Sequence, residues 1–192
     1  VVIAGVIGTL LGLIAGYRGG WTEQAIMGMV NVQQSVPFLI LALALVSVLR
    51  PGLDTVVLAL VVTGWITYTR SVRAEVLSLR EVEFVQATKA MGLADRRILL
   101  RHILPNVTSS VIVIASLEVG RMILSEASLS YLGVGLPPGV PTLGGMIADG
   151  QLYIHTAWWA TGAPGGTIFL LVLGIIFVGD GLRDLLDPRL KY

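Results

Sequence analysis

Apolar and polar residues alternate along this chain in long blocks rather than singly. Five apolar runs approach the roughly 20 residues needed to cross a bilayer. They cover residues 1–16, 25–49, 53–69, 107–124 and 165–178, the last continuing toward 186. The third and fifth are short, which predicts tilt or helical extension beyond the lipid. Lipid offers no partner for free backbone groups, so the spans are predicted to be α-helices. The expected fold class is all-α, a polytopic membrane helix bundle of five spans in one domain over residues 1–192.

Between the third and fourth runs lies the longest polar segment, residues 70–106. Phe84, Ala87, Thr88 and Met91 recur there at helical spacing, with Glu81, Glu83 and Lys89 elsewhere, which predicts a short amphipathic helix. Gly92 follows as a C-terminal cap. Asp95 is expected to cap a second helix holding Ile98 and Leu99, and Pro105 to end it. Two readings of the amphipathic helix are open: a knob docking into a soluble partner, or a helix lying in the lipid interface. The other long connection, residues 128–164, contains Pro137, Pro138 and Pro141, which forbid a regular helix there. A short helix is expected at 146–153, then Trp158 and Trp159, residues suited to a membrane interface. It reads as a folded external cap or as an ordinary connector.

Composition supports the membrane class. Of the 192 residues 55% are hydrophobic and 13% charged, about half the charged share of a soluble domain; mean hydropathy is +0.84. The net charge of +1 argues for no nucleic-acid partner, and the absence of cysteine excludes disulfides and thiolate sites. Charge also orients the chain. With residues 70–106 in the cytoplasm, alternation places Arg18, Arg70, Arg73, Arg80, Lys89, Arg96, Arg97, Arg101, Arg183, Arg189 and Lys191 on that side. Arg50 alone lies opposite, and Arg121 falls within the fourth run, so the positive-inside rule places the C-terminus in the cytoplasm. The chain opens on valine inside an apolar run with no charged region before it, unlike a signal peptide. A natural N-terminus further upstream, with a sixth helix, is the expectation.

Several residues within the runs carry chemistry. Gly8, Gly12 and Gly16 share one helix face and predict close approach of another backbone. Asn31, Gln33, Gln34 and Ser35 precede Pro37; amides in lipid must face protein or water, and Pro37 is expected to kink the helix. They either line a polar pathway or form a satisfied interhelical cluster. Glu118 and Arg121, three apart, can pair on one face, with Glu126 further along, as pathway residues or as a structural ion pair. Asp180, Arg183 and Asp184 read as interfacial.

The stretch "EFVQATKAMG", followed by "RHILPN", resembles the EAA loop of ABC-importer permeases, whose pattern is E-A-A, three residues, glycine, nine residues, then I-x-L-P. It falls on Gln86, Ala87, Thr88, Gly92, His102, Ile103, Leu104 and Pro105. Gln86 stands for glutamate, Thr88 for the second alanine and His102 for isoleucine. The stretches "LGLIAGYRGGW", "SVPFLILALALV", "TGWITYTRSVRAEVLSL", "EASLSYLGVGLPP" and "GDGLRDLLDPRL" likewise resemble the C-type permease of dipeptide, oligopeptide and nickel importers. That resemblance implies a type I importer permease fold in a bacterial or archaeal cytoplasmic (inner) membrane. It implies coupling to an ATPase through Glu83, Phe84, Gln86, Ala87, Thr88, Met91, Gly92, Leu104 and Pro105. It further implies a second homologous permease, two cytoplasmic ATPase subunits that hold ATP and Mg, and an external substrate-binding protein. No cofactor is expected in this chain.

Other functions are less well supported. "GK" never occurs, so there is no Walker A lysine to cradle phosphates. His102 and His155 fall on opposite sides and H-E-x-x-H is absent, which leaves an intramembrane protease without its catalytic pair. An ion-driven carrier could relay protons through Glu118, Arg121 and Glu126, but it has no need of the ordered loop with Gly92 and Pro105. Histidine is absent from the runs, which favours peptides over nickel as substrate.

Overall fold

The computed structural model describes residues 1–137 and 139–186; Pro138, Arg189 and Lys191, invoked above for the loop and the orientation, lie outside them. Helices dominate: α1 (Val2–Arg18), α2 (Gly20–Gln34), α3 (Phe38–Leu49), α4 (Leu53–Leu79), α5 (Glu83–Ala90), α6 (Asp95–Ile98), α7 (Leu104–Tyr131), α8 (Leu143–Gln151) and α9 (Trp159–Leu186). No strand occurs among the described residues.

Among the described residues three helices are long and apolar enough to cross a membrane singly, carried by α4, the continuous run Asp95–Tyr131, and α9. α2 and α3 together make a fourth as one broken span. α1 is a shorter apolar helix of 17 residues. The expected kink at Pro37 is a full break over Ser35, Val36 and Pro37. Proline removes a donor and drives the residue before it out of the helical region.

Three boundaries also move. α4 runs to Leu79, so the polar connection starts near Arg80 rather than at Arg70. Pro105 does not end a helix: it sits in the first turn of α7, just after a π-helical turn, Leu99–Ile103. Proline lacks the N–H that Arg101 would receive and crowds that carbonyl; the wider π turn gives room. The Asn106 side-chain amide, through Nδ2, donates to the His102 carbonyl at 2.6 Å. The connection predicted over residues 128–164 contracts at both ends, because Ser128–Tyr131 continue α7 and α9 begins at Trp159 with Pro164 inside it. Its helix is Leu143–Gln151, N-capped by Thr142 Oγ1, which accepts from the Gly145 N–H at 3.0 Å.

The chain forms two compact units. The first comprises Val1–Ser35, Gly64–Ala115 and the described residues from Asp180 onward. Its core is Leu13, Val72, Val76, Val85, Ile98, Ile103 and Val107. The glycine stripe of α1 lies flat on α4. A Cβ on Gly12 would stand 2.8 Å from the Thr69 carbonyl oxygen, and one on Gly16 would stand 2.8 Å from Val76 Cβ. Thr69 Oγ1 donates to the Gly8 carbonyl at 3.2 Å, a bond that only close approach permits. The second unit, Val36–Thr63 with Ser116–Gly179, is centred on Ala42, Val56, Ala59 and Leu129. α8 packs on α7 there, since a Cβ on Gly144 would collide with the Ala127 carbonyl, and Tyr131 Oη donates to Gln151 Oε1 at 2.7 Å.

Candidate functional site

The element between α4 and α7 has an unusual division of faces. α5 is held by one side chain, Val85, which is 2% exposed and part of the first unit's core. The residues that the helical spacing marked as its apolar stripe point elsewhere. Phe84 is 43% and Met91 69% exposed, and Ala87 is exposed too. Thr88 is half-buried, and its hydroxyl donates to the Val85 carbonyl at 2.7 Å. Gln86 donates to Glu81 Oε2 at 3.3 Å, and Glu83 lies exposed in the first turn. α5 thus presents Phe84, Ala87 and Met91 outward on a helix pinned from behind.

The chain leaves α5 through Gly92 at φ 76°, a left-handed conformation that costs other residues free energy. Leu93 returns to the core, and Leu104 packs against it, so Leu104 acts from below while Pro105 holds the π turn. The Phe84 and His102 rings lie 6.5 Å apart, tilted by 50°. Asp95 does not cap α6; Ala94 holds that position without a side-chain bond. The Asp95 carboxylate instead accepts from Tyr17 Oη at 2.8 Å and ties α6 to α1.

Three residues of the amide stretch are hydrogen-bonded. Trp65 Nε1 donates to Gln33 Oε1 at 3.1 Å, Arg70 donates to Asn31 Oδ1 at 2.7 Å, and Ser35 Oγ donates to the Asn31 carbonyl at 2.9 Å. Gln34 is exposed. Below them Arg73 Nε donates to Glu23 Oε1 at 2.7 Å, a pair the hydropathy pattern does not flag. Its signal is that Glu23 is the only carboxylate before Asp54. In the second unit Arg121 and Glu118 do pair: Nε and Nη2 meet the carboxylate at 2.7–3.0 Å. Glu118 is buried and Arg121 exposed, its side chain at 42%. Glu126 accepts from Ser130 Oγ at 2.6 Å.

Residues 8–192 match the family described as binding-protein-dependent transport system inner membrane component. The chain belongs to that family. Among its relatives, the dipeptide transport system permease protein DppC of Alkalihalophilus pseudofirmus is 42% identical over 186 residues, covering 97% of this chain and 61% of the relative. The oligopeptide transport system permease protein OppC of Bacillus subtilis is 40% identical over 185 residues, covering 96% and 61%. The glutathione transport system permease protein GsiD of Pectobacterium atrosepticum is 39% identical over 191 residues, covering 100% and 64%. The chain therefore spans about three fifths of the length of these relatives. A solved structure described as inward-facing conformations of the MetNI methionine ABC transporter shares the fold at a TM-score of 0.67 and 20% identity, covering 96% of this chain and 90% of that one. The permease fold expected from the sequence is the fold this member of the family has.

Proposed function

We propose that this chain belongs to the membrane-spanning permease subunit of an ATP-driven importer of di- and oligopeptides, paired with a second homologous permease. It is not itself an enzyme. Two cytoplasmic ATPase subunits bind ATP and Mg, and an external binding protein delivers the substrate to the outer face, including the segment around α8. The chain sits in a bacterial or archaeal inner membrane with its C-terminus in the cytoplasm. The observation that carries the reading is α5: anchored by Val85, it offers Phe84, Ala87 and Met91 to a partner and connects α4 to α7. A helix held only from behind passes a partner's displacement to both spans, which supplies the two-state element that ATP binding biases. Peptides are favoured as substrate because relatives named for dipeptides, oligopeptides and glutathione stand near 40% identity; nickel or another small solute is the alternative cargo.

The Arg121–Glu118 pair fits a pathway or interface role. A half-exposed guanidinium within a span faces water or protein, not lipid. The alternative of an ion-coupled carrier needs no outward helix between α4 and α7. The test is Gly92→Val in the reconstituted importer. A β-branched residue at φ 76° costs on the order of 1–2 kcal/mol in the turn and tilts α5. ATP hydrolysis should persist while peptide uptake falls. Uptake that follows a proton gradient and ignores ATP would refute the reading.

A further inference from the structure

We propose that the cleft between the C-terminal end of α1 and α5 binds the phosphate of an anionic lipid headgroup. The cleft has a volume of about 570 Å³ and is lined by Tyr17, Arg18, Arg80, Glu81, Gln86 and Lys89, among others. Most of its polar groups are engaged. Arg80 Nη1 donates to the Gly16 carbonyl at 3.1 Å and Nε to Glu81 Oε1 at 3.1 Å. Glu81 Oε2 accepts from Gln86, and the Tyr17 hydroxyl is given to Asp95. Both nearby carboxylates are thus occupied. Arg18 and Lys89, one on each wall, are exposed and have no hydrogen bond or ion pair among the described residues. Two uncommitted cations facing one cleft suit an anion with two acceptor oxygens, such as a phosphodiester.

A second observation selects lipid over a soluble anion. Ile3, Ile7 and Leu10 on α1 are 57%, 41% and 51% exposed. At helical spacing they share a face with Ile14 and Tyr17, so the stripe leads along α1 to the mouth of the cleft. Acyl chains laid on it bring their headgroup to Arg18. Tyr17, Arg18 and the 84%-exposed Trp21 form the aromatic-and-basic border that marks headgroup depth. Basic pockets on the cytoplasmic side take anionic headgroups in this way. Because one wall is α5, an occupied cleft fixes that helix against α1, so the charge of the inner leaflet sets its position.

The test is lipid retention by the complete importer in nanodiscs of phosphatidylcholine with a minor fraction of phosphatidylglycerol, read by mass spectrometry of co-purified lipid. Arg18→Gln and Lys89→Gln should each lower retained phosphatidylglycerol about fivefold. Arg97→Gln, an exposed cation of α6 outside the cleft, should not, and Arg18→Lys should keep most of it. Equal loss in all three glutamine variants, or in none, would overturn the site. Displacement of the lipid by excess inorganic phosphate would overturn the lipid source and assign the cleft to a soluble anion. Retention is read without ATP or uptake, so its failure leaves the transport reading untouched.

Discussion

Replacing Gly12 with alanine should destabilise the protein, against the preference of an isolated helix. Alanine in a helix interior is favoured over glycine by about 1 kcal/mol. At Gly12 the new Cβ would stand 2.8 Å from both the Thr69 carbonyl oxygen and Val72 Cβ, closer than real Cβ contacts come. Thr69 and Val72 are both fully buried, so α4 cannot give way locally and α1 must move out. Overpacking of this kind costs about 1–3 kcal/mol, and moving α1 also strains the Thr69-to-Gly8 bond at 3.2 Å. The net expectation is a loss of up to about 2 kcal/mol. Gly28 in α2 is the control, since nothing lies within 4 Å of its would-be Cβ; Gly28→Ala should be neutral or raise stability by up to about 1 kcal/mol. Thermal unfolding of the purified protein in detergent compares the two signs. If Gly12→Ala stabilises as Gly28→Ala does, the α1 glycines are not a packing face.

Other predictions follow from the same geometry. Val85→Ala removes the anchor of α5 and should cost about 2 kcal/mol, read as faster amide exchange over residues 82–93 with the spans unchanged; uniform loosening of all helices would contradict a local anchor. Glu118→Gln and Arg121→Gln should each lower uptake, while the double variant recovers part of it. A coupling on the order of 1 kcal/mol is expected for a half-exposed bidentate pair; strictly additive losses would mean the two act apart. Trp65→Phe should shorten the lifetime of the α2–α4 contact by removing the donor to Gln33, seen as greater mobility of a spin label on α2, and an unchanged spectrum would count against the amide cluster.

Much of this architecture was legible in the sequence, for physical reasons. Long apolar runs must be helices in lipid, and that condition gave α4, α7 and α9 apart from their ends. α5 and the turn at Gly92 were legible because amphipathic spacing and glycine are both local signals. What spacing could not reveal is which side of α5 is pinned. A stripe of Phe84, Ala87 and Met91 is equally consistent with burial or display, and Val85 decides the matter through contacts from α4 and α7, distant in sequence. Local spacing casts Asp95 as a cap, but its partner, Tyr17, lies 78 residues away, and the tertiary bond outcompetes the local one. Pro105 has the spacing of a stop, but a π turn, which leaves no residue signature, absorbs its ring. The break at Pro37 was visible, but its extent depended on Val36 also leaving the helix.

The central claim is that the exposed face of α5 meets a cytoplasmic ATPase. These 192 residues hold no cysteine, so Ala87→Cys is the single cysteine among them and reports on that face. In cells carrying the full importer, Ala87→Cys should cross-link to an ATPase subunit and stay unlabelled by a membrane-impermeant maleimide added outside. Labelling from outside intact cells, or no cross-link despite an assembled complex, would contradict the account.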